Sequence, residues 1–515
     1  MRFTLLLGTA VLSLAAATPA FADWYQASSK HFVIYGDMAE AELKTYATRL
    51  ETFDAAARLI RAMKDPVVGD GNRVHVYIVP TDLDVNRTLG SAEAGVLGYY
   101  EDDVRSPFII TPRKVRRDRD NRTFAPESVF FHEYTHHLQL QSTNKPMPAW
   151  LSEGFAEFLG NPIFGDDGSI GLGTPANDRA AAIIKGRWAP LKDLLEGNAV
   201  TLSYSGYWGQ NYAQGWLLNH YLAFEPSRKG QIDDYVKRIS NGDNALDAAK
   251  ASFGDIGKLE QELMDYRRVE KFSYLKIDAN KLSIPPVTIG KMSSAAGDIM
   301  MMRVYAKTGY DGLPRGLVLK KVREAAVRAP TDDLVQRTLA QVEYDNGNFD
   351  EAGAAADAAL KANPNSTEAI LFKGRSFLGK ARKNNDPAMF KEARSWFLKA
   401  NKLDKDDPEP LYLYYRSYHD ANQPVPAQAV DALKYAAILA PRDLTLQVRL
   451  GVEYLRQNKL PEAKEALIPV AYLPHAVGEA KVARQAVEMI EAGNAAGAIG
   501  LLEKDVLPKP EDDNA

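Results

Sequence analysis

The sequence predicts an α+β domain followed by an all-α solenoid of helical repeats. Two observations support this division. Before about residue 280, runs rich in β-branched and aromatic residues alternate with segments of helical periodicity. After about residue 297, small residues recur at a spacing of about 34 residues, which is typical of stacked helix pairs.

Length and composition indicate ordinary globular material. The chain has 515 residues, 45% hydrophobic and 25% charged, which is enough for about three domains. Its net charge of -4 argues against nucleic acid as a partner, since that would favour a concentrated positive surface. One basic cluster, in the loop 113–122, is interrupted by acids; we interpret it as a solvated loop, with an anion-binding patch as the alternative.

The N-terminus predicts export. Arg2 precedes an apolar run from Leu5 to Ala17, and Ala20-Phe21-Ala22 fits a cleavage site, so residues 1–22 are predicted to be a signal peptide. A membrane anchor is the alternative, but the run is short for a span. The absence of cysteine excludes disulfides. We therefore expect a periplasmic or secreted bacterial protein whose mature chain has no transmembrane segment.

The α+β domain is predicted to have two parts. Residues 23–125 form an α/β subdomain, and residues 126–282 form a mostly helical one. In the first part, strands are predicted at 31–35, 74–79 and 108–111, a helix at 39–63, and an edge strand at Tyr99-Tyr100. Pro285-Pro286 and Ser293-Ser294 mark 283–296 as a linker, so a chain ending near Asn280 is expected to fold alone.

The repeat region is predicted to span residues 297–505. Small, aromatic and proline residues fall where tetratricopeptide repeats place their packing residues, namely Leu339, Ala340, Gly347, Phe349, Ala352, Ala359, Pro364, Phe390, Ala393, Phe397, Ala400, Ala429, Ala436, Pro441, Leu450, Gly451, Tyr454 and Ala463. An unrelated helical bundle is the alternative. Stacked repeats form a groove, which suggests a peptide or protein partner. Residues 506–515 are expected to be a disordered tail.

A metal site is predicted from the run Phe131-His132-Glu133-Tyr134-Thr135-His136. On a helix, His132 and His136 lie on one face and can aim their imidazoles at one ion. Glu133 lies beside that ion without being a ligand, where it can take a proton from water. Catalytic zinc usually takes three protein ligands and leaves one position to water, so a third ligand is required.

The third ligand is expected from a second helix at 150–159. Glu153 and Glu157 lie four residues apart, on a different face from the apolar positions of that helix. We assign Glu153 to the metal, and Glu157 to a hydrogen bond with the outer nitrogen of a ligand histidine. The alternative is an ordinary solvated acidic pair. His137 lies off the metal face, so a surface position or an outer contact is expected for it.

These residues resemble those of the gluzincin metallopeptidases, which include thermolysin and the aminopeptidase N-like enzymes, and most closely the peptidase MA-like proteins. The resemblance implies a zincin-like fold, one Zn²⁺ per chain held by His132, His136 and Glu153, and an edge strand that pairs with the substrate backbone. Tyr212, before Ala213-Gln214-Gly215, matches the tyrosine that stabilises the oxyanion; a core aromatic is the alternative reading. The aminopeptidase G-x-M-E-N segment is missing from the sequence, so exopeptidase specificity is not implied.

The sequence therefore predicts an exported zinc metallopeptidase, an endopeptidase acting on a peptide or protein, with repeats that recruit substrate or a partner. The alternative is a periplasmic assembly or chaperone-like scaffold whose zinc domain is weakly active or inactive. A structural zinc site is a third reading, but structural sites normally close the coordination position that two histidines and one glutamate leave open.

Overall fold

The structure, a computed structural model, describes residues 23–65, 68–91, 96–101, 104–115, 126–142, 147–175, 183–184, 186–196, 207, 209–441, 443–471 and 477–507. The expected signal peptide at 1–22, residues 116–122 of the basic loop and the tail from 508 lie outside these ranges. Among the described helices, none combines the length and apolarity needed to cross a bilayer.

The first half of the chain builds a six-stranded mixed sheet in the order β4-β5-β3-β2-β1-β9. The central strands β2, β3 and β5 are parallel, and the outer ones pair antiparallel. The strands are β1 (Trp24–Ser28), β2 (Phe32–Asp37), β3 (Val74–Thr81), β4 (Tyr99–Glu101), β5 (Phe108–Lys114) and, much later in the chain, β9 (Thr288–Lys291). The three predicted strands and the predicted edge strand at Tyr99-Tyr100 are confirmed.

The helices of this half are α1 (Glu40–Ile60), α2 (Asp82–Thr88), α3 (Pro126–Ser142), α4 (Ala149–Leu159), α5 (Leu191–Glu196), α6 (Gln210–Phe224), α7 (Gln231–Ser240), α8 (Ala245–Phe253) and α9 (Ile256–Tyr266). A second sheet, β6 (Ile163–Phe164), β7 (Ile170–Leu172) and β8 (Leu275–Ile277), is antiparallel. The predicted helical part 126–282 therefore also contains short strands.

The main sheet is buried on both faces. Side chains alternate across a strand, so Phe32 and Ile34 point to one face while Val33 and Tyr35 point to the other. The first face packs against α1 and α3 in one core. The second face packs in a different core, against helices that follow residue 293. Central parallel strands with continuous apolar runs commonly have both faces covered in this way.

The segment 283–296, predicted to be a linker, is part of this sheet. β9 pairs with β1 in the register Gln26↔Gly290, and the Met292 N–H donates to Trp24 O at 2.9 Å. Ser293 caps the following helix by accepting from the Ala296 N–H at 3.1 Å. The local composition was misleading because a serine before a helix serves as its cap as readily as it marks a flexible segment.

The C-terminal region is helical, as predicted. Its helices are α10 (Ser294–Asp298), α11 (Met300–Lys307), α12 (Arg315–Arg328), α13 (Asp333–Asp345), α14 (Phe349–Ala362), α15 (Thr367–Asn384), α16 (Pro387–Leu403), α17 (Pro408–Asp420), α18 (Ala427–Leu439), α19 (Leu444–Arg456), α20 (Leu460–Ala471), α21 (Val477–Glu491) and α22 (Ala495–Asp505). From α13 onward, consecutive helices pack against one another. The starts of α13 and α15 lie 34 residues apart, those of α15 and α17 lie 41 apart, and those of α17 and α19 lie 36 apart, so the spacing varies around the predicted period.

The helical region is attached to the α/β part over a long interface. The Gly71 N–H donates to Asp404 at 3.0 Å, and the Val104 N–H donates to Asp443 at 3.2 Å. Between the sheet and α11, α13, α15 and α17 lies a polar cavity of about 310 Å³. The surface of the helical region at this interface is therefore covered by the α/β part of the same chain.

A chain that ends after Asn280 is expected not to fold, because it lacks β9 and the helices that cover the second face of the sheet. Tyr35, Tyr77, Phe108 and Ile110 would then lose their cover. Size-exclusion chromatography and near-UV circular dichroism should show aggregation and loss of fixed packing. As a control, a chain ending after Leu507 keeps every described helix and should unfold cooperatively without aggregation. A monomeric, cooperatively unfolding chain ending at Asn280 would contradict the expectation.

Candidate metal centre

Helix α3 is seated on the sheet by its aromatic face. Phe130, Phe131 and Tyr134 are buried, and their spacing puts them on one side of a helix with about 3.6 residues per turn. The Tyr134 ring lies 4.9 Å from that of Phe32, and the Phe131 ring lies 4.6 Å from that of Phe53. This seating turns the imidazoles of the two motif histidines away from the sheet and toward α4.

Helices α4 and α6 cross at two glycines. A Cβ on Gly154 would lie 2.3 Å from the backbone carbon of Gly215, and a Cβ on Gly215 would lie 2.7 Å from Trp150 O. No other residue allows the backbones to approach this closely. The crossing places Glu153, the residue before Gly154, opposite α3, and it brings the first turn of α6 toward the same point.

The three predicted ligands meet with the spacing of a metal site. His132 Nε2 lies 3.3 Å from His136 Nε2, and each nitrogen lies 3.4 Å from Glu153 Oε2. Ligands at about 2.0–2.1 Å from a tetrahedral ion are separated by about 3.3–3.4 Å, so all three separations fit one zinc-sized ion. The group is one of two in the described residues with suitable donor atoms close together.

The outer atoms of both histidines have partners. His132 Nδ1 lies 3.2 Å from Glu157 Oε1, as the sequence predicted for Glu157. Burial lowers the pKa of His132, but Glu153 and Glu157 outweigh it and hold that pKa well above the ordinary value of 6.5. The same negative field that favours a proton on this imidazole favours a metal cation beside it.

The contact to His136 was not predicted. His136 Nδ1 lies 3.3 Å from Gln139 Oε1, and Gln139 is fixed by Ser152, whose hydroxyl donates to Oε1 at 2.9 Å and whose carbonyl accepts from Nε2 at 3.0 Å. Gln139 therefore orients the imidazole and also links α3 to α4. Its spacing of three residues from His136 on the same helix face was the available sequence signal.

Glu133 and Tyr212 lie next to the ligand set. Glu133 is half-buried and contributes to the negative field at His132. No described residue donates a hydrogen bond to its carboxylate. The Tyr212 ring lies 5.9 Å from the His132 ring. By contrast, the Tyr207 ring is covered by the Arg187 guanidinium, whose carbon lies 4.7 Å from the ring centre.

The other cluster, His31, Glu51 and Asp54, has the distances of hydrogen bonds and not of metal ligands. His31 Nδ1 lies 2.7 Å from Glu51, and Asp54 accepts from Arg58 at 2.8 Å and from the Tyr134 hydroxyl at 2.7 Å. These buried groups neutralise one another. The cluster therefore holds α1 against α3, behind the candidate metal centre.

Comparisons with known proteins assign no family. No family model matches the chain, and no curated protein matches it. A solved structure described as the MamA RS-1 ArsTM double mutant is similar at 19% identity over 35% of this chain and 93% of that chain, with a TM-score of 0.27. The zincin-like fold and the tetratricopeptide repeats therefore stay predictions. A proposal for the function has to rest on the geometry of the site.

We expect the purified protein to bind about one zinc ion per chain, and Glu153→Gln to lose most of it, because the amide is a poor substitute for an anionic ligand. Glu157→Gln should retain the metal but bind it about 10- to 100-fold more weakly, since it alters only the outer partner of His132. Elemental analysis and chelator competition measure both effects. If Glu153→Gln kept its full zinc content and Glu157→Gln lost its zinc, Glu157 would be the metal ligand and Glu153 the outer partner.

Proposed function

We propose that this protein is a zinc-dependent metallopeptidase that hydrolyses internal peptide bonds. The observation that carries the proposal is the set of three ligand atoms at 3.3–3.4 Å from one another, with the Glu133 carboxylate on the same helix. Two histidines and one glutamate leave a coordination position for water, which is the arrangement of catalytic sites.

In the proposed mechanism, His132, His136 and Glu153 would hold a zinc ion, which when bound would supply Lewis-acid activation of a water molecule. Glu133 takes a proton from the water that attacks the scissile carbonyl, and then gives it to the leaving amine. The Tyr212 hydroxyl donates a hydrogen bond to the carbonyl oxygen as negative charge develops there. Glu157 and Gln139 keep the two imidazoles oriented during the reaction.

The proposed substrate is an extended, unstructured peptide segment. β4 lies at the end of the sheet and pairs with β5 on one side, so a peptide added at its other side would continue the sheet. The missing aminopeptidase segment supports an endopeptidase. A native protein substrate would present such a segment in a loop or in an unfolded region.

The helical region is proposed to bind a peptide or protein partner with the surface that the α/β part does not cover. The contacts at Gly71 and Val104 join the α/β part to the chain at Asp404 and Asp443. We therefore assign partner binding to the last helices, α20–α22. Export to the periplasm or the medium belongs to the same proposal, and it depends on residues 1–22.

Glu133→Gln is expected to keep zinc and the fold while lowering kcat/KM for a casein-derived peptide by about 10²- to 10⁴-fold, because an amide does not accept the proton of the attacking water. Glu127→Gln is the matched control. It makes the same change on the same helix, at an ion pair with Arg49, and should stay within about twofold of wild type. Equal peptidase activity in Glu133→Gln and wild type would show that Glu133 is not the base. A wild-type protein that binds zinc but has no peptidase activity would favour the scaffold alternative.

Tyr212→Phe is expected to lower kcat by about 100-fold with little change in KM, zinc content or thermal stability, since the hydroxyl acts only when the oxyanion forms. Tyr207→Phe removes a hydroxyl from the ring that Arg187 covers and should retain activity. Steady-state kinetics of both variants provide the test. A loss confined to Tyr207→Phe would return Tyr212 to the role of a core aromatic. Tyr204, a further local tyrosine, lies outside the described residues.

A further inference from the structure

Helix α3 carries a third histidine that is not in the ligand set. His137 Nδ1 lies 2.8 Å from the hydroxyl of Tyr100, and the two rings meet edge-on at 5.5 Å. Tyr100 is the central residue of β4, the edge strand of the sheet. This hydrogen bond therefore connects the helix that holds two of the candidate metal ligands to the sheet edge beside it.

The His137 ring is itself held in place. It stacks on the Tyr134 ring at 5.3 Å with an angle of 22° between the planes. The Tyr134 hydroxyl donates to the buried Asp54 carboxylate, which also accepts two bonds from Arg58 at 2.8 and 2.9 Å. The buried ion cluster on α1 thus fixes Tyr134, and Tyr134 supports the imidazole that contacts the edge strand.

The edge strand approaches α3 closely at this point. A Cβ on Gly98 would lie 2.5 Å from the Val129 side chain and 2.9 Å from Ile110 O. Glycine is required here because a larger residue would push β4 away from the helix. Gly98 directly precedes β4 and Tyr100 is its central residue, so the close approach and the hydrogen bond together set the distance of this strand from α3.

We propose that Tyr100 and His137 are a positioning pair that sets the edge of β4 relative to the metal ligands, and so aligns the carbonyl of an extended peptide. The pair does not touch the reacting atoms. It acts through the backbone of β4, the strand at one end of the described sheet, beside which the peptide would be added. The inference rests on the proposed peptidase function for its kinetic consequence, but the mechanical link between β4 and α3 is independent of it.

The test compares three variants of the full chain loaded with zinc. Tyr100→Phe removes the hydroxyl and keeps the ring, and His137→Leu removes the imidazole partner of that hydroxyl. His137→Gln keeps a side chain that can accept the bond and should rescue. Tyr99→Phe is the matched control, because Tyr99 lies on the same strand but its hydroxyl bonds Thr88 at 2.8 Å, on the other face of the sheet.

We expect kcat/KM for a fluorescein-labelled casein peptide to fall about tenfold in Tyr100→Phe and His137→Leu. His137→Gln and Tyr99→Phe should stay within about threefold of wild type. Zinc content and inhibition by acetohydroxamate should not change, because this small inhibitor does not extend to β4. Equal losses in Tyr99→Phe and Tyr100→Phe, or full activity in Tyr100→Phe, would overturn the proposal.

Hydrogen exchange measured by mass spectrometry gives a second result that does not depend on turnover. Amides of residues 96–101 should exchange about fivefold faster in Tyr100→Phe than in wild type, the scale of losing one hydrogen bond of about 1 kcal/mol. If the wild type binds zinc but cleaves no peptide, the proposed function fails. Hydrogen exchange of residues 96–101 then tests by itself whether Tyr100 and His137 hold β4 against α3. Unchanged exchange of this segment in Tyr100→Phe would then exclude the positioning link.

Discussion

The backbone contact between Gly154 and Gly215 is the constraint on which the candidate site depends. It fixes how closely α4 and α6 pass each other, and this decides where Glu153 and Tyr212 lie relative to His132 and His136. Because metal ligand distances tolerate only a few tenths of an ångström, a wider crossing would separate Glu153 from the two imidazoles. A glycine in each helix lowers intrinsic helix stability by about 1 kcal/mol. The chain accepts that loss in return for a defined position of one carboxylate.

The candidate site is held from two sides by different kinds of force. On the inner side, α3 is fixed by aromatic packing and by the buried cluster of His31, Glu51, Asp54 and Arg58, in which the charges neutralise one another. On the outer side, three acidic residues face the imidazoles, and Glu153 is almost fully buried. An ionised carboxylate in such a place requires a counter-charge. The inner cluster therefore contains its own cationic side chains, whereas the carboxylates of the candidate site are suited to a bound metal cation.

The sequence predicted the part of the site that depends on local spacing. His132 and His136 lie on one helix face, as their spacing requires, and Glu157 of the next helix lies at the outer nitrogen of His132, the position assigned to it from the sequence. Gln139 was missed although it lies three residues from His136 on the same helix, because Ser152 of another helix fixes the direction of its amide. The segment 283–296 was misread for a similar reason: β9 is a strand only because β1, more than 250 residues earlier, offers an unpaired edge. Pairing over such separations leaves little trace in local composition.

The two-sided cover of the sheet has a consequence for the nascent chain. The residues of the candidate metal site, up to Glu157, are synthesised about 140 residues before α10, the first of the C-terminal helices that cover the second sheet face. Until α10–α13 have emerged, α2 is the only described helix that packs on this face of the sheet, and the platform under α3 is incomplete. Ribosome-bound intermediates therefore contain every proposed metal ligand without the scaffold that aligns them. The scaffold of the candidate site is therefore complete only when roughly two thirds of the polypeptide exists.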